Sequence, residues 1–84
     1  MIKGVMMDEP RIDERIDLSG VICPNNFVKT KLKLEEMKEG QILEVILDDD
    51  EPIRNVPRAV KEEGHPIVKV ERIGNKWRLL IKKV

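Results

Sequence analysis

The stretch RIDERIDLSGVICPNNF, residues 11–27, changes its apolar spacing partway along, and that change decides the fold. From Arg11 to Leu18, Ile12, Ile16 and Leu18 alternate with charged residues, the pattern of a short half-buried strand ending near Ser19-Gly20. From Asn25 the spacing becomes three and four. Phe27, Thr30, Leu34 and Met37 form one stripe, flanked by Val28 and Leu32, and Gly40 marks the stop of an amphipathic helix. The seam between the two patterns holds Cys23-Pro24. Proline suits a first helical position, because the N–H it lacks would be unpaired there anyway. Cys23 then falls at the N-cap, where Ser, Thr, Asp or Asn would stabilise the helix better. A thiol so placed meets unpaired N–H groups and the positive end of the helix dipole, both of which favour the thiolate.

Outward from this seam the pattern repeats. Ile42 to Leu47 reads as a strand with Leu43, Val45 and Leu47 on one face and Ile42, Glu44 and Ile46 on the other, so both faces are partly apolar and the strand is central. The run Asp48-Asp49-Asp50-Glu51-Pro52 supplies negative charge and a cap to a second helix with Ile53, Val56 and Val60 inward and Gly64 at its end. Pro57 predicts an irregular first turn, with regular helix only from about Pro57 to Glu63. Pro66 to Ile73 and Lys76 to Val84 read as two strands joined by a tight Gly74-Asn75 turn. Pairing Ile73 with Lys76 sets Val70 opposite Leu79 and Val68 opposite Ile81 on the core face. Arg72 then lies across Trp77, and Glu71 meets Arg78 on the other face. The order β-α-β-α-β-β predicts an α/β two-layer sandwich: one mixed four-stranded sheet with both helices on one face. The first crossover makes strands one and two parallel and sets Cys23 just beyond the carboxyl end of strand one.

An 84-residue chain makes one domain, with residues 1–11 expected as a loose N-terminal extension. One cysteine excludes an internal disulfide and suits a reducing cytoplasm. No segment has the length or apolarity of a signal peptide or a membrane span, and no cysteine or histidine cluster suggests a metal. No cofactor is expected either. Sixteen basic residues balance sixteen acidic ones, and Phe27 and Trp77 are the only aromatics, so direct nucleic-acid binding is disfavoured.

The residues alone leave Cys23 open to two readings, a reactive thiol at a helix start or a buried core cysteine. Lys29 and Lys31 have stems long enough to reach toward the helix start, yet also suit the solvated face of the helix. His65, between a helix-ending Gly64 and Pro66, reads as a structural residue of a turn, and nothing in the sequence places it against Cys23. The acidic run at 48–51 lacks the ligand spacing of a calcium loop.

Asp17-Leu18-Ser19-Gly20 followed by Cys23-Pro24, then Lys29-Thr30-Lys31, Gly40, Asp48-Asp49 and Gly64-His65, resembles the TusA-like (SirA-like) sulfur-carrier family from about Ile12 to Val84. The resemblance implies a sulfurtransferase-type carrier in which Cys23 accepts a sulfane sulfur as a persulfide and passes it on in a sulfur relay. It implies a sulfur-donor protein of desulfurase or rhodanese type and an acceptor protein, a DsrE-like one among the candidates. The usual Cys-Pro-x-Pro motif reads Cys23-Pro24-Asn25-Asn26 here, so Asn26 replaces the second proline. That substitution restores an N–H donor, adds an amide near the sulfur and is expected to alter the docking surface beside it. The alternative is a noncatalytic interaction or regulatory module of the same fold that docks through residues 21–28.

Overall fold

The computed structural model of the protein describes residues 11–22 and 25–84. Its elements run β1 (Glu14–Asp17), α1 (Asn25–Glu36), β2 (Ile42–Asp48), α2 (Glu51–Glu62), β3 (Ile67–Ile73) and β4 (Lys76–Lys82). The strands form one mixed sheet in the order β1-β2-β4-β3, with β1 parallel to β2 and β4 antiparallel to both of its neighbours. This is the β-α-β-α-β-β architecture that the spacing predicts.

The core lies between the sheet and the helices. Leu43, Val45 and Leu47 of β2 and Leu79 and Ile81 of β4 are buried against Leu34 and Met37 from the α1 side and Val56 and Val60 of α2. Full burial of one such side chain is worth roughly 1.5–3 kcal/mol, so this layer outweighs any surface pairing in the molecule. The reverse face of β2 and β4 is covered differently. Ile42 and Leu80 are buried there. Beside them Arg78 donates to Glu44 at 2.6 Å and to Glu71 at 2.8 Å. The central place of β2 explains why both of its faces are partly apolar.

Four local readings differ from the structure. β1 is shorter than Arg11–Leu18, although Asp13 N–H and Leu18 N–H still bond the carbonyls of Ile42 and Ile46 at 2.9 Å, so the ladder outlasts the strand geometry. α1 ends at Glu36, and Gly40, at φ +91°, instead makes the turn into β2 and donates its N–H to Lys83. In the terminal hairpin the pairs Ile73–Lys76, Arg72–Trp77, Glu71–Arg78 and Val70–Leu79 form as predicted, but a bulge between Ile67 and Lys69 puts Ile67, not Val68, opposite Ile81. Val68 and Val70 are exposed on β3, an edge strand whose packing against the core runs through Ile67.

The fourth difference is Pro57. α2 is continuous from Glu51 to Glu62 with Pro57 inside it, where an irregular first turn is predicted. The proline costs the helix one bond to the Ile53 carbonyl. Val56 and Val60 are buried on the same face, and their burial holds the turn helical in spite of that loss. The helix closes on Gly64 at φ +95°, with Gly64 N–H bonded to Lys61 and His65 N–H to Val60, the paired bonds of a Schellman cap.

Pro57→Ala should therefore stabilise the protein. An interior proline costs about 3 kcal/mol, and its stiffening of the unfolded chain offsets up to about 1 of that. A net gain of roughly 2 kcal/mol is expected in urea unfolding followed by circular dichroism. A loss would mean that the helix does not run through Pro57.

Candidate functional site

Parallel pairing of β1 and β2 brings their carboxyl ends, Asp17 and Asp48, to one end of the sheet. The loops leading into α1 and α2 begin there, and Lys76 at the start of β4 pairs with Asp48 at the same end. Cys23 and Pro24, expected to open α1, lie outside the described residues, so the site is built from what flanks them.

The approach from β1 is held by side chains. Asp17 accepts from the N–H and hydroxyl of Ser19 at 2.9 and 2.6 Å, a turn that the Asp-x-Ser spacing favours. Gly20 N–H donates to Asp48 at 2.6 Å, and Val21 N–H returns to the Leu18 carbonyl at 3.0 Å. The other oxygen of Asp48 takes Lys76 Nζ at 2.8 Å. One carboxylate thus joins the β1–α1 loop, the end of β2 and the start of β4. Beyond it, Asp49 accepts Trp77 Nε1–H at 2.9 Å and pairs with Arg72 at 3.3 Å. The Arg72 guanidinium lies 5.4 Å from the centroid of the indole, as the hairpin register predicts.

These bonds revise the reading of the acidic run. It supplies negative charge near the start of α2, with Glu51 in the first turn, but no side chain caps the helix. Asp48 and Asp49 are committed to the loop and hairpin, and Asp50 meets Arg54 at 3.5 Å. Asp50 holds φ +84°, a conformation that costs a residue with a side chain about 1–3 kcal/mol. Residues 20–22 and 48–52 face each other across an open hollow of about 340 Å³, apolar at Val21 and Ile22 and acidic on the opposite wall.

The other predicted residues fall in different surroundings. Ile22, immediately before Cys23 in the sequence, is 72% exposed, and Val28 and Leu32, four residues apart on α1, are 45% and 54% exposed. Lys29 is exposed and lines a groove between α1 and β1 with Leu32 and Lys33. Lys31 pairs with Glu63 at 3.6 Å, past the end of α2. His65 precedes β3, which runs parallel to β2, so it sits at the opposite end of the sheet from the β1–α1 loop; its Nδ1 accepts from Val84 N–H. Asn26 corrects an expectation. It is wholly buried, so the residue in place of the usual proline alters the interior of the helix start and not a docking surface. Sequence reasoning missed the tie of Asp48 to Gly20 and Lys76, because it takes the β1–β2 and β2–β4 pairings together to bring those residues to one place.

The family model described as Sulfurtransferase TusA matches residues 14–83. A protein of Archaeoglobus fulgidus named as a candidate sulfur carrier is 53% identical over 72 residues, covering 84% of this chain and 82% of its own length. A candidate carrier from Thermotoga maritima is 35% identical over 77 residues, covering 90% and 98%. The candidate carrier YedF of Escherichia coli is 34% identical over 71 residues, covering 84% and 92%. In fold, the crystal structure of a SirA-like protein from Desulfitobacterium hafniense matches with a TM-score of 0.72 at 22% identity, over 83% of this chain and 96% of that one. Among the described residues, no helix is long and apolar enough to cross a membrane.

The carboxylates at this end set an acid response. Hydrogen bonds from Ser19 hold Asp17 below the ordinary carboxyl value of 3.8. The Lys76 ammonium and then Gly20 N–H do the same for Asp48, and Trp77 N–H and then Asp50 N–H for Asp49. The folded state binds protons less readily than the unfolded chain, so the stabilisation is complete above the ordinary carboxyl range and lost as pH falls through the lowered values. The urea midpoint should stay level from about pH 7 to 5 and drop below about 4. Asp48→Asn should shallow that drop, and an unchanged acid limb would remove Asp48 from this role.

Proposed function

The chain belongs to the TusA sulfurtransferase family, and from that premise we propose that Cys23 carries sulfur between a donor and an acceptor protein. The Cys23 thiolate attacks the terminal sulfur of a donor persulfide, R–S–SH. A new S–S bond forms at Cys23, the donor's S–S bond breaks, and the donor leaves as a thiolate R–S⁻. The proton stays on the transferred sulfur, and no external oxidant or reductant enters. An acceptor thiolate repeats the attack on Cys23–S–SH and releases the Cys23 thiolate.

The observation that carries this reading is the exposure of the chain just before the cysteine. Ile22 is 72% exposed before it, and Asn25 is exposed after Pro24. The loop that leads to it is tied down by Asp17 and Asp48, which supports a thiol offered at a fixed place. The start of α1 directly after Pro24 favours the thiolate. The acidic wall at 48–51 and the apolar Val21 and Ile22 oppose it. Exposed Lys29, one helical turn into α1, adds positive charge on the favourable side, and Lys31 contributes less because Glu63 engages it.

Docking of both partners is assigned to the exposed apolar residues Ile22, Val28 and Leu32. A desulfurase or rhodanese type of protein would serve as donor and a DsrE-like protein as acceptor, in the cytoplasm, where a single free thiol stays reduced. The whole relay step fits within residues 14–83, and no metal or cofactor takes part. The same residues would serve a docking module without chemistry, and Cys23 separates the two readings. After incubation with polysulfide, the intact protein should gain the mass of one sulfur, lose it to a thiol reductant, and fail to gain it as Cys23→Ser. An unmodified wild-type protein, under conditions that load a control carrier, would overturn the carrier reading.

A further inference from the structure

β3 presents an edge that matches its own copy. It ends one side of the sheet, and among the described residues no strand lies beyond it. Val68 and Val70 are 45% and 52% exposed there, and Lys69 and Glu71 flank Val70 with opposite charges. An edge strand with exposed apolar residues is a template for another strand, and a lysine within it ordinarily opposes that pairing. The effect of Lys69 depends on what it meets.

The backbone of Val70 faces outward. Ile73 and Lys76 flank a two-residue turn and so exchange both ladder bonds, and the alternation of an antiparallel ladder gives the same to Glu71–Arg78 and Lys69–Leu80. Val70, opposite Leu79, and Arg72, opposite Trp77, fall between these pairs and turn their N–H and C=O groups away from β4.

A two-fold axis normal to an antiparallel pair sets one residue opposite its own copy, because bonded and non-bonded pairs alternate along the ladder. The residues of β3 then favour one register. Centring on Lys69, Glu71 or Arg72 sets a charge against itself, and centring on Val68 brings Val70 against Pro66, which has no N–H to give. Centring on Val70 removes both faults. The two Val70 residues exchange their outward bonds, and Lys69 of each copy lies opposite Glu71 of the other. Glu71 already accepts from Arg78 of its own chain at 2.8 Å, so each carboxylate then stands between two cations.

From this register we infer that β3 pairs antiparallel with β3 of a second copy, joining two four-stranded sheets into one of eight strands. The axis keeps the helices of both copies on one face and sends their β1–α1 loops to opposite ends of the joined sheet. β1 is the far edge from β3, so the loop that leads to Cys23 stays clear of the joint. A joint one strand wide is small, which makes the pairing dependent on concentration. The inference does not rest on the carrier reading.

Sedimentation equilibrium of the full chain under reducing conditions, from about 1 μM to about 1 mM, should carry the mean mass from one chain toward two. Amide exchange read by NMR reports the register: exchange at Val70 N–H should slow roughly tenfold over that range, while Lys69 and Glu71 N–H, already bonded to β4, stay level. Lys69→Glu and Glu71→Lys should each remain single chains, because each sets like charges opposite one another. Mixed in equal parts they should form mixed pairs, since one variant is acidic at both positions and the other basic. A wild type that stays single throughout, or that doubles without slower exchange at Val70, overturns the inference whether or not the variants fold. Folded variants that self-associate as the wild type does, or that stay apart when mixed, overturn it as well.

Discussion

The carboxylate of Asp48 joins three parts of the chain that the sequence keeps far apart. Through Gly20 N–H it holds the loop that follows β1, through Lys76 Nζ it holds the start of β4, and by its own place it ends β2. A hollow between two loops on a small sheet would ordinarily be a mobile place. Here both oxygens of one side chain are spent on fixing it, and the neighbouring Asp49 repeats the arrangement with Trp77 and Arg72. The residues on this wall of the hollow are therefore acidic for reasons of architecture.

That division of labour explains why the two helices begin so differently. α2 starts at a residue held at positive φ, without a side-chain cap, because the acidic side chains ahead of it are bound elsewhere. α1 starts with a buried amide on its inner face, continued by Thr30, whose hydroxyl returns to the Asn26 carbonyl, and then by Leu34 and Met37. This polar pair heads an otherwise apolar stripe where the core of the protein reaches the start of α1.

Much of this was legible in the order of residues. Period-two and period-three-and-four spacing gave the six elements, and the Gly74-Asn75 turn gave the hairpin register from Ile73 back to Val70. The bulge at Ile67–Lys69 was not legible, because it depends on how an edge strand pairs with β4 away from the turn. Nor was the continuity of α2 through Pro57, where burial of Val56 and Val60 outweighs a local penalty that is plain in the sequence. At the site, Cys23 stands out by its neighbours, whereas the burial of Asn26 could not be foreseen. The spacing draws the apolar stripe through Phe27, whereas the helix is turned so that Asn26 faces inward and Phe27 stays partly exposed.

The indole of Trp77 has a consequence outside chemistry. It is the only tryptophan in the protein, a guanidinium lies over its ring, and its N–H is bound to Asp49, which lines the hollow beside Val21 and Ile22. Indole emission responds to the charges and hydrogen bonds around the ring. The molecule therefore carries an optical reporter one hydrogen bond away from that hollow, and a disturbance that draws Asp49 away from the ring can be followed in unlabelled protein.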